Sequence, residues 1–333
     1  MSQRVKLEKR TIRKLIFQNY GLSVLSLKEK SGIYKAVTDR GTYAFKNARE
    51  IPDLAYIRDC LAHIRRNGFT RLPEILPTLS NHVSIRHLDE DYYMEQWIEG
   101  WVFSKGPAHL EPLGAALADF HRAARGIVPP LDSLSYGWGK RPEMLLQCYS
   151  RLEEWDRERR TSNGGGYERE MLQFLKYRCR KALVYLKNVS YSGLLAKAPE
   201  SAVLCHGSLH RRNIVVDGNN DLWFIDMESM IYAERVLDLA QLLHYHAPPH
   251  EWNPAVIRRL LQSYESRHGR PIGSDEWKCL LSYLAFPRRL FNCAQAYFAR
   301  PEPPRKNGLK LQKVIELDWP KERFFNEFEP LLF

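Results

Sequence analysis

The segment from His206 to Asp226, HGSLHRRNIVVDGNNDLWFID, carries the side chains whose spacing best fits a chemical role. The runs NIVV and LWFID flank the turn sequence DGNND, which predicts a β-hairpin. In an antiparallel hairpin the first residue of one strand lies beside the last residue of the other, so Asn213 and Asp226 are predicted at the same end. Their amide and carboxylate oxygens are hard ligands that suit Mg²⁺. The preceding loop is predicted to bring His206 and Ser208 to that end as well.

This hairpin also has a structural interpretation. Asn and Asp are common at strand ends because they favour turns. Asn213 and Asp226 therefore fit a purely structural role as well as they fit a metal site, and the choice depends on the rest of the chain.

The strand sequence TYAFK favours the chemical interpretation. Its two-residue period places Ala44 and Lys46 on one face. A small residue beside a lysine suits a floor under adenine and an anchor for the α- and β-phosphates. The loop KEKSGIYK could cover the phosphates with the amides of Ser31 and Gly32, although a single glycine is a weak signal. Taken singly, Lys46 also fits an ordinary surface lysine at a strand end.

The hydrophobic pattern up to about Gly100 predicts an α/β unit. We expect helices in the sequences from Leu7 to Gln18 and LAYIRDCLAHIRRNGF, and strands at Val24–Leu27, Ile33–Val37, TYAFK, HVSIRHL and YYMEQWIEG. After Gly100 the pattern becomes helical, with LGAALADFHRAARG, a long pair flanking RRTSNGGGYE, and helices from Asp238 and from Glu276 to Ala299. The sequence RPEPPRKNG predicts a linker before a short tail.

Composition excludes several classes of protein. The 333 residues are 44% hydrophobic and 27% charged, as in soluble globular proteins, and no window approaches ~20 apolar residues, so no membrane span is expected. The basic N-terminus does not resemble a secretory signal, so synthesis in the cytoplasm is expected. Six scattered cysteines without a C-x-x-C pair argue against a zinc site or a disulfide framework. The net charge of +11 is dispersed, which favours solvated charge over nucleic-acid binding but leaves an anionic partner open.

The catalytic-loop segment resembles a known superfamily. LCHGSLHRRNIVVDGNNDLWFIDMES is similar to the H-G-D-x-H-x-x-N and I-D motifs of the aminoglycoside phosphotransferase and choline kinase superfamily. YYMEQWIEG, GWGKRPEMLLQ and LLSYLAFPRRLFNCAQAYF resemble, more narrowly, CotS-type bacterial spore-coat proteins. The resemblance covers about Leu15 to Ala299. It implies an α+β, two-lobed protein-kinase-like fold, with residues 1–98 as a small β-rich lobe and residues 99–333 as a mostly helical lobe that contains the hairpin, ending in a tail after about residue 300.

The resemblance also implies roles for individual residues. It makes Lys46 the phosphate anchor, Asn213 and Asp226 the Mg²⁺ ligands, and Asp238 the acid that braces the catalytic loop. The other implied nucleotide-binding residues are Ser31, Gly32, Ala44, the acid partner of Lys46 at Asp53 or Glu50, and a hinge over Glu95 to Glu99 that includes Trp97. ATP and Mg²⁺ are the implied cofactors, and other spore-coat proteins are the implied partners in the coat.

Ser208 stands where the superfamily has its catalytic aspartate. A serine hydroxyl does not accept a proton near neutral pH, and loss of such a base costs ~10²–10⁴ in rate. His206 and His210 are candidate substitute bases, but superfamily members carry both beside the aspartate. Three functions follow: a spore-coat kinase-like protein that binds ATP and Mg²⁺ with weak or absent phosphotransfer, an active small-molecule kinase, or a purely structural coat protein.

Overall fold

The computed structural model describes residues 7–30, 32–49, 51, 53–103, 110–161, 166–187, 189, 202–300 and 303–329. The chain divides into two units. One comprises Met1–Phe103 with Arg212–Glu228, and the other comprises Ser104–Arg211 with Ser229–Phe333. The hairpin, which was predicted to lie in the second domain, therefore groups by its contacts with the first unit. The predicted boundary at residues 98 and 99 stays a prediction.

An antiparallel sheet dominates the first unit. In the described residues its strands are β1 (Val24–Lys30), β2 (Ile33–Thr38), β3 (Gly41–Asn47), β4 (Ile75–Leu76), β5 (Ile85–His87) and β6 (Glu90–Gln96), in the order β1-β2-β3-β6-β4 with β5 paired to β6. Helices α1 (Lys9–Tyr20) and α2 (Leu54–Arg66) complete this part. Strand β1 continues to Lys30, so Lys28, Glu29 and Lys30 belong to the strand and not to the loop predicted over KEKSG.

The two faces of this sheet have different chemistry. Phe45 and Met94 lie in a core with the apolar side of α1, including Ile12 and Ile16, and the Phe45 and Tyr92 rings stack at 5.3 Å. Because side chains alternate along a strand, the residues on either side of Phe45 face away from this core. The alternation leaves the second face of β3 for Ala44 and Lys46.

A small sheet supports the hairpin in the same unit. Strands β7 (Trp101–Val102), β9 (Ile214–Val216) and β10 (Leu222–Phe224) are ordered β10-β9-β7. A Cβ at Gly100 would lie 2.1 Å from the Val216 carbonyl oxygen, so only glycine permits this approach. The Phe224 amide donates to the Arg71 carbonyl at 3.1 Å. These contacts fix both strands of the hairpin to the first unit.

Helices form most of the second unit. Its described elements are α3 (Leu110–Ala123), α4 (Arg141–Thr161), α5 (Gly166–Lys187), β8 (Ala202–Cys205), β11 (Ile231–Glu234), α6 (Val236–His246), α7 (Pro254–His268), α8 (Ser274–Ala285), α9 (Arg288–Phe298), α10 (Arg305–Asp318) and α11 (Lys321–Phe328). Strands β8 and β11 pair antiparallel. The Cβ that an alanine would add at Gly114 lies 2.3 Å from the Leu260 carbonyl oxygen, so glycine lets α3 and α7 pack closely. The sheet and the helical unit confirm the predicted α+β class.

The C-terminal segment differs from its prediction. The sequence from Arg300 to Gly308 was predicted as a linker, but α10 begins at Arg305 and α11 follows it. Buried residues at helical spacing, Leu311, Val314 and Ile315, explain why this segment is helical. Asp318 at the end of α10 forms a buried ion pair with Arg178 of α5. In the described part of the chain, we find no helix with the length and apolarity needed to cross a membrane.

Candidate functional site

Lys46 lies at the centre of a cluster of acids in the first unit. Its Nζ atom is 3.1 Å from Glu95 Oε1, 2.6 Å from Asp226 Oδ1 and 2.5 Å from Glu228 Oε1. The Tyr93 hydroxyl donates to the same Glu228 oxygen at 2.6 Å. Lys46 is only 6% exposed. One buried ammonium group therefore contacts three carboxylates.

Strand register explains how these side chains meet. On β3 and β6, Ala44 pairs with Glu95 and Lys46 pairs with Tyr93. All four residues are buried, and the two-residue period places them on the face opposite the Phe45 core. The predicted shared face of Ala44 and Lys46 is thus present, with a carboxylate directly beside it.

Asp226 reaches Lys46 through an unusual backbone conformation. It follows β10 with φ +61°, a left-handed value that non-glycine residues seldom adopt. Such conformations persist where the surrounding structure holds them, and they concentrate at functional sites. The short 3₁₀ turn Met227–Ser229 comes next and carries Glu228. The turn after the hairpin thus presents two acids to one lysine.

The charges in this cluster do not balance. Burial lowers the pKa of Lys46, but the negative charges of Glu95, Glu228 and Asp226 together raise it well above its usual value, so the ammonium stays charged. Burial raises the pKa of Glu95 to about 7, although Lys46 opposes this shift. Three acids around one ammonium leave an excess of negative charge that an additional cation would offset.

The hairpin end also has the predicted arrangement of Asn213 and Asp226. Ile214 pairs with Phe224, and the Ile225 amide donates to the Asn213 carbonyl at 3.0 Å. Asn213 therefore lies opposite the residue that precedes Asp226. Asn213 is buried, whereas the Asp226 side chain is 34% exposed. Carboxylate and amide oxygens with surplus negative charge are a donor set that fits a hard divalent cation such as Mg²⁺.

In the second unit, α6 holds the loop that contains Ser208. Asp238 accepts hydrogen bonds from the amides of His206 at 2.7 Å and Gly207 at 2.9 Å. Gln241 accepts from the Leu209 amide at 2.8 Å and donates to the Gly207 carbonyl at 2.7 Å. Two side chains of one helix thus fix the backbone on both sides of the serine. This is the bracing role that the resemblance implied for Asp238.

The two histidines of the loop have different environments. The His206 side chain is fully buried, and its Nδ1 atom accepts from the Ser208 amide at 3.3 Å. The His210 ring is partly exposed and packs edge-on against Tyr245 at 5.8 Å. Because the His206 ring is buried and already accepts a hydrogen bond from the loop backbone, it is poorly placed to take a proton from the hydroxyl of a phosphate acceptor. This burial argues against His206 as a substitute base.

A second cluster, in contact with the loop through Asp238, contains residue types that can bind a metal ion. Ligand atoms of His121, Cys205 and Asp238 lie within 4.8 Å of one another. Each has another role, since His121 bonds Asp238 at 3.1 Å and Tyr264 at 2.9 Å, and the Cys205 thiol donates to the Glu234 carbonyl at 3.5 Å. Burial raises the pKa of Cys205 well above its usual value, which keeps the thiol protonated. The cluster is therefore explained as a hydrogen-bond network.

Replacing Asp238 with asparagine is expected to lower the free energy of unfolding by about 3 kcal/mol. The amide would offer one acceptor atom and two unwanted donors to the buried amides of His206 and Gly207. Denaturant unfolding checks this value. The exposed residue Asp132 provides the control, because Asp132→Asn should leave stability within about 0.5 kcal/mol. Equal effects of the two substitutions would contradict the bracing role.

The His268 ring stacks on Tyr264 of this network at 5.3 Å, and its titration is expected to make the stability of the second unit depend on pH. Burial and the nearby Arg235 guanidinium lower the pKa of His268 from 6.5 to about 3. Arg235 donates to His268 Nδ1 at 2.9 Å. Below pH 6.5 the unfolded chain binds a proton that the folded protein does not, so the free energy of unfolding falls as pH decreases towards 3.

We expect this histidine to contribute about 2 kcal/mol of destabilisation at pH 5 relative to neutral pH. His268→Gln keeps an acceptor for Arg235 but does not titrate. Its unfolding free energy, measured from pH 7.5 to 5, should fall less steeply than that of the wild type. Parallel curves for the two proteins would rule out the contribution.

The remaining predicted nucleotide-binding residues have varied positions. Asp53 does not pair with Lys46, because its carboxylate caps α2 by accepting from the Tyr56 amide at 2.8 Å; this candidate was wrong. Gly32 occupies the β1–β2 turn with φ +83°, and Trp97 is half-buried with the Lys35 ammonium 4.9 Å above its ring. The other two candidates, Ser31 and Glu50, lie outside the described residues.

The acids that contact Lys46 were not among its predicted partners. Glu95 was assigned to the hinge for its backbone, and Glu228 and Tyr93 were given no role. A signal was present in YYMEQ, where Glu95 directly follows Tyr92, Tyr93 and Met94 and shares the face of Tyr93. The spacing of Asp226 and Glu228, two acids around one methionine, was a second signal.

Comparison with known proteins gives the same picture of the fold. The sequence profile of the family described as "Phosphotransferase enzyme family" matches residues 29–272. An aminoglycoside phosphotransferase from Alicyclobacillus acidocaldarius is 19% identical with a TM-score of 0.80, and the match covers 99% of this chain and 98% of that one. The AMP-bound spectinomycin phosphotransferase APH(9)-Ia is 13% identical with a TM-score of 0.68, covering 94% and 99%.

A third similar structure is a microcompartment-associated aminopropanol kinase. It is 15% identical with a TM-score of 0.66, covering 96% of this chain and 98% of that one. Likeness at these levels of identity shows the fold. The predicted kinase-like architecture, with a β-sheet N-lobe and a helical C-lobe, is therefore confirmed.

Proposed function

This chain belongs to the Phosphotransferase enzyme family, and from that premise we propose that it binds ATP together with Mg²⁺ and transfers phosphate only weakly. The observation that carries the proposal is the cluster around Lys46. A buried ammonium beside the small residue Ala44, with Asp226 and Glu228 on the partly exposed side, is what a nucleotide with its metal ion requires. The AMP in one related structure supports the choice of an adenine nucleotide.

Each residue has a distinct part in this proposal. Ala44 provides a flat, small surface over which the adenine ring lies, and Lys46 donates hydrogen bonds to phosphate oxygens. Asp226 and Asn213 would hold Mg²⁺, which supplies positive charge that offsets the charge developing on the phosphates. Glu95 is the most buried of the three acids and would keep the ammonium oriented when Asp226 holds the metal.

Weak transfer follows from the serine in the loop. By the motif, Ser208 stands at the position of the residue that accepts the proton of the acceptor hydroxyl. A hydroxyl cannot do this near neutral pH, and the rate is expected to fall by ~10²–10⁴. Phosphoryl transfer depends strongly on positioning and metal charge, so slow transfer persists in the proposal.

Thermal unfolding tests nucleotide binding. ATP with Mg²⁺ at a hundredfold excess over Kd is expected to stabilise the protein by about 2.7 kcal/mol. ATP without metal should give a much smaller effect, because the phosphates and the acids repel each other without the cation. No shift at millimolar ATP and Mg²⁺ would overturn the binding proposal.

We further propose that the protein is deposited in the spore coat. The support is the resemblance of GWGKRPEMLLQ and the other quoted segments to CotS-type proteins, together with Ser208, since a coat protein does not require fast turnover. A fluorescent fusion followed during sporulation should accumulate at the forespore. A diffuse cytosolic signal throughout would contradict this location and would favour a small-molecule kinase.

A further inference from the structure

Helix α1 has a basic surface that the proposed function does not use. Its apolar side packs into the core of the first unit through residues such as Ile12 and Ile16. Its other side exposes four cations and no acid after the N-cap residue Glu8; these are Lys9, Arg10, Arg13 and Lys14. Positions 10, 13, 14 and 17 share one helix face, because residues three or four apart are neighbours.

Strand β1 extends this surface. The Arg13 guanidinium donates to the Val24 carbonyl at the start of β1, and Lys9 lines a cleft together with Lys28 near its end. The helix and the strand therefore run side by side. Over residues 8–30 the surface carries six cations, counting Lys28 and Lys30, against the two acids Glu8 and Glu29.

Most of these cations lack a counter-ion. In the described ranges of the chain, no carboxylate lies within 4.0 Å of the charged nitrogens of Lys9, Arg10, Lys14, Lys28 or Lys30. Some exposed cations elsewhere do have a partner, such as Arg267, whose guanidinium is 2.8 Å from Asp119. The charge on this surface is thus available to an external anion.

Three large apolar side chains lie at the end of the same surface. Phe17, Leu25 and Leu79 are 61%, 67% and 71% exposed. Phe17 follows Arg13 by one helical turn, and Leu25 lies where the β1–β2 pairing shifts register between Val24 and Ser26.

Leu79 is tied to the same end of the helix. Its amide donates to the Asn19 carbonyl at 2.8 Å, and its methyl groups approach the Cβ position of Gly21 to 3.5 Å. Three separate backbone segments thus each present one protruding apolar side chain at the same end of α1.

We propose that this surface, formed by α1, the start of β1 and Leu79, binds anionic phospholipid bilayers. Protruding apolar side chains beside lysine and arginine residues without counter-ions are the chemistry of peripheral membrane binding. Phe17, Leu25 and Leu79 enter the headgroup region, and the cations contact the lipid phosphates. This binding does not depend on nucleotide.

Sedimentation with vesicles tests the proposal. The full chain should bind vesicles of phosphatidylglycerol and phosphatidylcholine in equal parts, but not vesicles of phosphatidylcholine alone. Arg10→Ala combined with Lys14→Ala should weaken the binding roughly thirtyfold, since each cation near an anionic surface contributes about a fivefold effect. Phe17→Ser combined with Leu79→Ser should also weaken it. High salt should reduce binding further because it screens the charges.

The control is a pair of exposed cations of the second unit, Arg169 and Lys187. Arg169→Ala combined with Lys187→Ala removes the same net charge and should leave vesicle binding unchanged. An equal loss in this control would show that net charge alone is responsible and would overturn the proposal. Binding to polyglutamate but not to the anionic vesicles would overturn it in favour of an acidic protein partner.

Discussion

Ser208→Asp is expected to raise the rate of phosphoryl transfer by about 10²–10⁴. The aspartate would accept the proton of the acceptor hydroxyl, which the serine cannot do. The backbone that carries it is already fixed, since Asp238 and Gln241 bond the amides on both sides of residue 208. Transfer from labelled ATP to a panel of aminoglycosides and amino alcohols, together with release of free phosphate, provides the measurement.

Ser208→Ala is the matched control for this experiment. If the hydroxyl contributes nothing as a base, the alanine variant should transfer phosphate as slowly as the wild type. A large loss in Ser208→Ala would mean that the serine itself takes part. If neither wild type nor Ser208→Asp transfers phosphate to any acceptor or to water, the proposal of residual transfer fails and a structural role is favoured.

Lys46→Met is expected to abolish the stabilisation of about 2.7 kcal/mol that saturating ATP and Mg²⁺ provide. It removes the group that would bind the phosphates. It also leaves Glu95, Asp226 and Glu228 without their counter-ion, so the free protein should lose about 3 kcal/mol of stability or more. Thermal unfolding with and without ligand separates the two effects.

Two further variants distinguish the loss of nucleotide binding from a general loss of stability. Asp226→Asn leaves Lys46 with two acids and should fold normally, yet it should lose the Mg²⁺-dependent part of the stabilisation. Lys278→Met removes a lysine that pairs with Asp275 at 3.4 Å in the second unit, and it should retain the full nucleotide effect. Retention of that effect in Lys46→Met would contradict the role of this lysine.

Local sequence patterns predicted the parts of the site that depend on neighbouring residues. The turn DGNND between two apolar runs was sufficient to place Asn213 and Asp226 at one hairpin end, because turn chemistry and strand pairing are local. The period of TYAFK was likewise sufficient to put Ala44 and Lys46 on one face. Within a single strand or hairpin, the local sequence is therefore sufficient to predict which side chains lie on the same face or at the same end.

The acid partners of Lys46 could not be predicted in the same way. Glu95 meets Lys46 because β3 pairs with β6 in one register, and the two residues are 49 positions apart in the chain. A shift of one residue would turn Glu95 to the opposite face, and the local pattern does not set this register. Asp53 shows the opposite error. It was predicted to pair with Lys46 because it is close in sequence, but its carboxylate caps α2.

The C-terminal helices show a further limit of local patterns. The prolines in RPEPPRKNG indicated a linker, yet Pro304 is the residue before α10 and is compatible with a helix start. Helix α10 is stabilised by contacts with distant residues, including the buried pair of Arg178 and Asp318. Tertiary packing therefore decided the structure of a segment whose composition suggested otherwise.

Isothermal titration of the full chain with ATP, in the presence and absence of Mg²⁺, tests the proposed nucleotide site most directly. We expect saturable binding of one ATP per chain that requires Mg²⁺, is lost in Lys46→Met and is strongly weakened in Asp226→Asn. Absence of binding at millimolar ATP and Mg²⁺, or equal binding by the wild type and Lys46→Met, would contradict the assignment of this acid-rich lysine site to a nucleotide.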